Sequence, residues 1–200
     1  MSSPADPSVQ EFYKHQELLL PYMSHQLGKS NLDIGCGTGL TSVIHQEKLG
    51  ISPTLCDVVD IRHALAQSLP FFLIPDGTLP FDDNSFDSSY IQYILHHLQT
   101  SAAITKLLEE ALRVSNRLII VEEIKGDRTD VVRARQFDKD VNERIHPDVS
   151  MPVYGYWTER GVIGFAIQID AKLLFHRRIS AGEADNGFLE THIFVISESH

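Results

Sequence analysis

The run Leu32-Asp33-Ile34-Gly35-Cys36-Gly37-Thr38-Gly39 holds the residues best placed for chemistry. A short apolar strand leads into it and helical spacing starts at its end. Glycines there allow tight backbone angles and let a ligand reach the main chain without meeting a Cβ. At the switch point of a wound parallel sheet, such a loop borders a nucleotide crevice. Two phosphate-binding patterns do not fit. In G-x-G-x-x-G the third glycine falls where Leu40 stands, and no G-x-x-x-x-G-K-S/T cradle is present.

The carboxylate of Asp33, directly ahead of the glycines, is badly placed beside a pyrophosphate. It suits a cation such as S-adenosylmethionine, which carries an ammonium and a sulfonium. A glycine turn that holds no ligand is the plain alternative, but the acids further along would then need separate explanations. Asp57 ends the second expected strand, 18 residues past Gly39, where a carboxylate can accept both hydroxyls of an adenosine ribose. Its rival Asp60 reads as the cap of a helix beginning at Ile61. After the third strand comes Asp76-Gly77-Thr78, whose carboxylate can accept from an adenine amino group while the next backbone N–H reaches a ring nitrogen. A turn aspartate followed by core residues is the alternative there.

His96 and His97 follow the fourth strand. An imidazole there could take a proton from an acceptor, although packing at a helix start is the preferred reading of the pair. Tyr13, Tyr90, Tyr93, Tyr154, Tyr156 and Trp157 could line an aromatic pocket, but aromatics at helical or strand spacing are more often core. His146-Pro147-Asp148 reads as a capped turn. His15, His45 and His63 lack partners at ligand spacing, so no metal is expected. Cys36 and Cys56, the only cysteines, fit reduced thiols in a cytoplasmic protein.

The elements that must position these residues alternate between strand-like and helix-like pieces, which predicts an α/β domain with a largely parallel sheet. A helical N-terminal piece spans 9–27, with Pro21 expected to break it in two. Strands are expected at 31–34, 54–57, 71–74, 86–92 and 117–121, and helices at 38–49 and 102–114. The latter is the clearest amphipathic stretch, with Ile104, Leu107, Leu108, Ala111 and Leu112 on one face. Beyond Glu123 a helix over 129–145 should bury Ala134, Phe137, Val141 and Ile145. A weaker helix follows at 158–166, then strands at 172–179 and 190–197 joined by a turn holding Gly182, Asn186 and Gly187. The plan is a five-strand wound sheet closed by an antiparallel hairpin.

Composition supports this plan. Two hundred residues with 42% hydrophobic and 22% charged side chains suit one globular domain. A net charge of −10 gives no sequence-wide basic field, so nucleic acid is not the expected partner. No stretch reaches the ~18 to 20 apolar residues that span a bilayer. The opening MSSPADPSVQ shows no secretory pattern, and a cytoplasmic location is expected.

The set LDIGCGTG, then Asp57, then IPDGTLPFDDNSFD, then SSYIQYILHHL resembles class I S-adenosylmethionine-dependent methyltransferases. It is most similar to the type 11 group that includes ubiquinone/menaquinone C-methyltransferases. The resemblance covers roughly residues 9 to 124. It implies a Rossmann-like, doubly wound seven-stranded sheet, mostly parallel, with a C-terminal antiparallel hairpin and helices on both faces. It also implies a single domain, with an N-terminal helical cap over 1–28, a cofactor core over 29–124 and substrate-side helices and hairpin over 125–200.

By the same resemblance Gly35, Cys36, Gly37 and Gly39 line the methionine part of S-adenosylmethionine, with Asp33 near its amino group. Asp57 holds the ribose with Val58 against the adenine, Asp76, Gly77 and Thr78 read the adenine edge, and Ile91 and Gln92 border the sulfonium. The product is S-adenosylhomocysteine and the acceptor a small molecule; a homodimer is compatible with the reading. The chain departs from the family in lacking a Lys-Pro-Gly-Gly turn before the fifth strand, where it has Arg113-Val114-Ser115-Asn116-Arg117, and in a short tail. The competing expectation is a methyltransferase-like module without catalysis that acts through a protein partner.

Overall fold

The computed structural model describes residues 7–126, 131–145, 148–180 and 189–199. The expected loop at 146–148 and the turn with Gly182, Asn186 and Gly187 fall largely or wholly outside them. The elements run α1 (Pro7–Met23), β1 (Ser30–Ile34), α2 (Leu40–Leu49), β2 (Ser52–Asp57), β3 (Phe71–Leu73), β4 (Ser88–Gln92), α3 (Ser101–Arg113), β5 (Leu118–Ile124), α4 (Val131–Ile145), α5 (Glu159–Gln168), β6 (Ala171–Ile179) and β7 (Glu190–Glu198). The seven strands form a mixed sheet in the order β3-β2-β1-β4-β5-β7-β6. β1 runs parallel to β2 and β4, and β2 parallel to β3, while β6 and β7 pair antiparallel. The doubly wound plan with its closing hairpin is therefore present. Among the described residues no helix is long and apolar enough to cross a membrane.

The chain divides into two compact units, one made of Met1–Ile91 with Glu110–Ile119 and the other of Gln92–Glu109 with Ile120–His200. In the first unit Leu32 and Ile34 of β1 and Leu55 and Cys56 of β2 are buried. Val43 of α2 packs with Leu55, Ala66 and Leu69, and Cys36 and Phe71 close over that cluster. Apolar residues on successive turns of α2 face the strands because its first turn begins directly at the glycine loop. Tyr13 and Glu17 of α1 reach Glu47 and Lys48 of α2, so polar contacts border the packed faces.

In the second unit the part of β5 from Ile120 to Ile124 is buried, as is most of β7, whereas β6 is a partly exposed edge strand. Ala134 of α4 packs with Tyr156 and Leu189. Thr158 caps α5 by accepting the Gly161 N–H at 3.1 Å, and Phe165 on that helix meets Trp157 edge-on at 4.9 Å.

Four local expectations change. Helix α1 runs through Pro21 and stops two residues later; a proline in the last turn removes one helical bond, and buried Leu19, Leu20 and Met23 hold the turn in place. Asp60 caps no helix, because its carboxylate takes a two-pronged bond from Arg62 at 2.9 Å to each oxygen; His63 instead caps a 3₁₀ turn at Ala64–Ala66. β5 extends through two glutamates to Ile124. On α4, Ala134 is buried but Phe137 is 38% exposed.

Candidate functional site

In the first unit, parallel pairing brings the C-terminal ends of β1, β2, β3 and β4 to one edge of the sheet. β1 feeds the glycine loop, where Gly35, Gly37 and Gly39 have φ of 70°, 52° and 71°, values that favour glycine. Gly39 is also a close-packing position. A Cβ there would lie 2.7 Å from Leu55 Cδ2 and 2.8 Å from Ala66 Cβ.

The loop is held from β2. The Gly35 and Cys36 N–H groups donate to the Cys56 carbonyl at 2.8 and 3.1 Å. The Gly37 N–H donates to Asp57 Oδ2 at 2.8 Å, and the Val58 N–H to Asp57 Oδ1 at 2.7 Å. Asp57 thus ties the loop to the strand end it terminates, while Val58 beside it is 58% exposed, an apolar surface next to a polar one.

Asp33 lies beneath the loop, buried, and accepts the Ser42 hydroxyl at 2.7 Å. Burial pushes its pKa up to about 7; the Ser42 bond pulls the other way, and the charge of Asp57 adds to the rise. Two carboxylates in one water-poor place call for a positive charge. The thiols of Cys36 and Cys56 are both raised far above the ordinary range, chiefly by burial and then by these acids, which makes them inert neighbours.

At the end of β3 the Thr78 N–H donates to Asp76 Oδ1 at 3.0 Å, and the Gly77 N–H to the Ile74 carbonyl at 2.8 Å, forming a tight turn on an exposed edge. Ile91 is buried at the end of β4. The unit thereby brings together Asp33, Gly35, Cys36, Gly37, Gly39, Asp57 and Val58, and places Asp76, Gly77, Thr78 and Ile91 at the same sheet edge. Gln92 belongs to the second unit.

The second unit holds the histidine pair. His96 Nδ1 lies 2.6 Å from Glu122 Oε1, and the Leu95 N–H donates to Glu122 Oε2 at 2.7 Å. Burial alone would lower the His96 pKa, but the charge of Glu122 and its hydrogen bond outweigh burial, and the pKa is pushed up to about 9. His97 stands 4.1 Å from His96, ring centre to ring centre, and its Nδ1 donates to the Pro152 carbonyl at 3.0 Å. Burial and then the neighbouring His96 push the His97 pKa down to about 4. Near neutral pH His96 is an imidazolium and His97 a neutral imidazole.

Tyr156 donates to Asp138, and its ring centre lies 5.7 Å from that of His96. Arg135, Lys139, Asn142 and Glu143 of α4, with the segment from Val149 to Val153, line a cleft of about 290 Å³, close to the lower end of ligand-site sizes. Glu122 and Asp138 escaped the sequence reading. The available signal for Glu122 was an acid inside an otherwise apolar strand run.

A model of a methyltransferase domain matches residues 32–117. Demethylmenaquinone methyltransferase from Paenarthrobacter aurescens (strain TC1) is 29% identical over 122 residues, 58% of this chain and 47% of the relative. The chain therefore spans about half the length of that curated relative. A solved S-adenosylmethionine-dependent methyltransferase from Methanosarcina mazei matches with a TM-score of 0.69 at 18% identity, over 89% of this chain and 97% of the other. The Burkholderia thailandensis 1,6-didemethyltoxoflavin-N1-methyltransferase, solved with 1,6-didemethyltoxoflavin and S-adenosylhomocysteine bound, matches at 0.67 and 16% identity, over 95% and 79%. The two structural likenesses speak for the fold. The domain match runs from within β1 to the residue before β5, the stretch that holds the glycine loop and its acids. Residues 32–117 match a methyltransferase domain, and the chain as a whole is similar in fold to a solved S-adenosylmethionine-dependent methyltransferase.

Proposed function

We propose that the chain moves the methyl group of S-adenosylmethionine to a small-molecule acceptor by in-line displacement, releasing S-adenosylhomocysteine. The observation that carries this reading is the pair of acids under the glycine loop. Asp33, held near neutrality by burial, and Asp57 create a demand for positive charge that the ammonium of the cofactor meets. In this reading Gly35, Cys36, Gly37 and Gly39 line the methionine part. Asp57 takes the ribose hydroxyls, Val58 lies on the adenine, Asp76 with Gly77 and Thr78 reads its edge, and Ile91 and Gln92 border the sulfonium. The cofactor supplies an activated methyl group. The chain's work is to bind, orient and exclude water, since alignment of nucleophile and methyl carbon carries most of the barrier reduction.

The two histidines divide by charge state. His96 is already protonated by its pairing with Glu122 and cannot accept a proton. His97 donates through Nδ1 to Pro152, which leaves Nε2 as the acceptor atom of a neutral ring. Where the acceptor carries a proton, His97 is the base of the pair, and its link to Pro152 joins it to a wall of the cleft beside α4.

Calorimetric titration tests the cofactor assignment. Asp57→Ala should weaken S-adenosylmethionine by the roughly 1.5 to 3 kcal/mol of lost bonds to a charged group, about 10- to 150-fold. His97→Gln should leave cofactor affinity unchanged and lower turnover once an acceptor is in hand. Equal affinity of Asp57→Ala and the parent protein would remove the ribose assignment. Cofactor binding with no methyl transfer to any acceptor pool would favour the partner-acting module.

A further inference from the structure

The hairpin of β6 and β7 and the first turn of α5 bring together three ligand-type side chains that the sequence reading left apart. In the antiparallel register His176 faces Phe194 and Arg178 faces His192, so the two histidines are diagonal neighbours on one face. His176 Nε2 lies 3.0 Å from His192 Nδ1. Glu159, the first residue of α5, places Oε1 3.8 Å from His176 Nδ1 and Oε2 3.8 Å from His192 Nδ1. One donor atom from each of the three residues lies within 4.8 Å of the other two. His192 is buried, and its Nε2 makes no hydrogen bond among the described residues. That nitrogen faces Glu190 Oε2 at 3.6 Å.

We propose that Glu159, His176 and His192 bind a divalent transition-metal ion, zinc in the first place. Two imidazoles and a carboxylate form a ligand set that zinc accepts, with a fourth position left to water. Magnesium and calcium require oxygen ligands and are not served by it. With metal–nitrogen bonds of about 2.0 to 2.1 Å, a tetrahedral edge measures about 3.3 Å, so the histidine nitrogens need to part by only a few tenths of an ångström. Glu159 is 45% exposed and can swing inward on its side-chain torsions.

The surroundings fit the same ion. Ligation through His192 Nδ1 leaves the proton on Nε2, where Glu190 stands as the outer carboxylate that orients a ligating histidine. Glu159 and Glu190 together carry the two negative charges that balance a divalent cation, Glu190 while also bonded to Arg178. Held there, the ion clamps the start of α5 to the edge hairpin.

The test uses tag-free full-length protein stripped with a chelator and titrated with Co²⁺, followed by displacement with Zn²⁺. The expected result is saturable uptake of one equivalent, with the visible bands of a four-coordinate site and a Zn²⁺-dependent rise in unfolding temperature. Glu159→Gln and His176→Gln should each weaken Co²⁺ by at least the roughly 10- to 100-fold that loss of a supporting group costs. Glu159 is at the surface, so the metal-free unfolding temperature of Glu159→Gln should equal that of the parent protein. Absence of saturable binding, or equal affinity in both variants and the parent protein, overturns the site. No methyl donor enters this readout, so it stands or falls apart from the methyl-transfer reading.

Discussion

Asp33 and Asp57 are both buried but differ in their hydrogen-bond donors, and the behaviour of Asp33 with pH follows. Asp57 accepts backbone amides from Gly37 and Val58, whereas Asp33 accepts the Ser42 hydroxyl and is buried. An acid whose folded pKa lies above its unfolded value holds more protons when folded, so stability falls as pH rises between the two. For Asp33 that window runs from its ordinary 3.8 to about 7. A bound ammonium favours the ionised form, so cofactor binding should release a proton and tighten from pH 6 to pH 8. Asp33→Asn should flatten that dependence, and calorimetry in two buffers of different ionisation enthalpy reads the proton directly.

His96 gives the opposite sign, because its pKa is raised from 6.5 to about 9. Its contribution to stability is fully present below pH 6.5 and is lost as pH rises through 9. Urea unfolding at pH 6, 8 and 10 should show that loss in the parent protein and not in Glu122→Gln, whose uncharged amide still offers an oxygen to Leu95. The acids of the glycine loop were legible in the sequence because they sit at strand ends a few residues from glycines. Glu122 was not, because its partner His96 lies 26 residues away and only strand placement brings them together.

At the scale of elements, the strands and helices that flank the glycine loop were legible, because their apolar runs are short, bounded by glycine or proline, and followed by a clear 3.6-residue pattern in α3. Pro21 misled the reading. Its cost depends on how near the helix end it falls, and that end is set by burial of Leu19, Leu20 and Met23 rather than by local preference. α4 misled it too, since apolar spacing does not say which turn has a partner to pack on, and Phe137 has little cover. Gly39 is where element and loop meet. Gly39→Ala must place a side chain at φ 71° and against Leu55 and Ala66, so it should cost at least the roughly 1 to 2 kcal/mol of a left-handed residue. Chemical denaturation checks this, and an unchanged midpoint would show that the loop can shift to relieve the contact.

For the molecule as a whole, the mostly parallel sheet and the closing hairpin were legible, because motif order along the chain carries topology even where single motifs are weak. Pairings across distant strands were not. The approach of Glu159, His176 and His192 depends on the register of β6 against β7 and on where α5 begins, neither of which leaves a spacing signature.

Thermal unfolding with S-adenosylmethionine, S-adenosylhomocysteine and NADH side by side tests whether the glycine loop and its acids select a cationic adenosyl ligand. A ligand at 100 times its dissociation constant adds about 2.7 kcal/mol, which for a chain of this length is a rise of roughly 5 to 10 °C. The account predicts that rise with the two adenosyl compounds and none with NADH. A rise with NADH, or no rise with any of the three from folded protein, would contradict it.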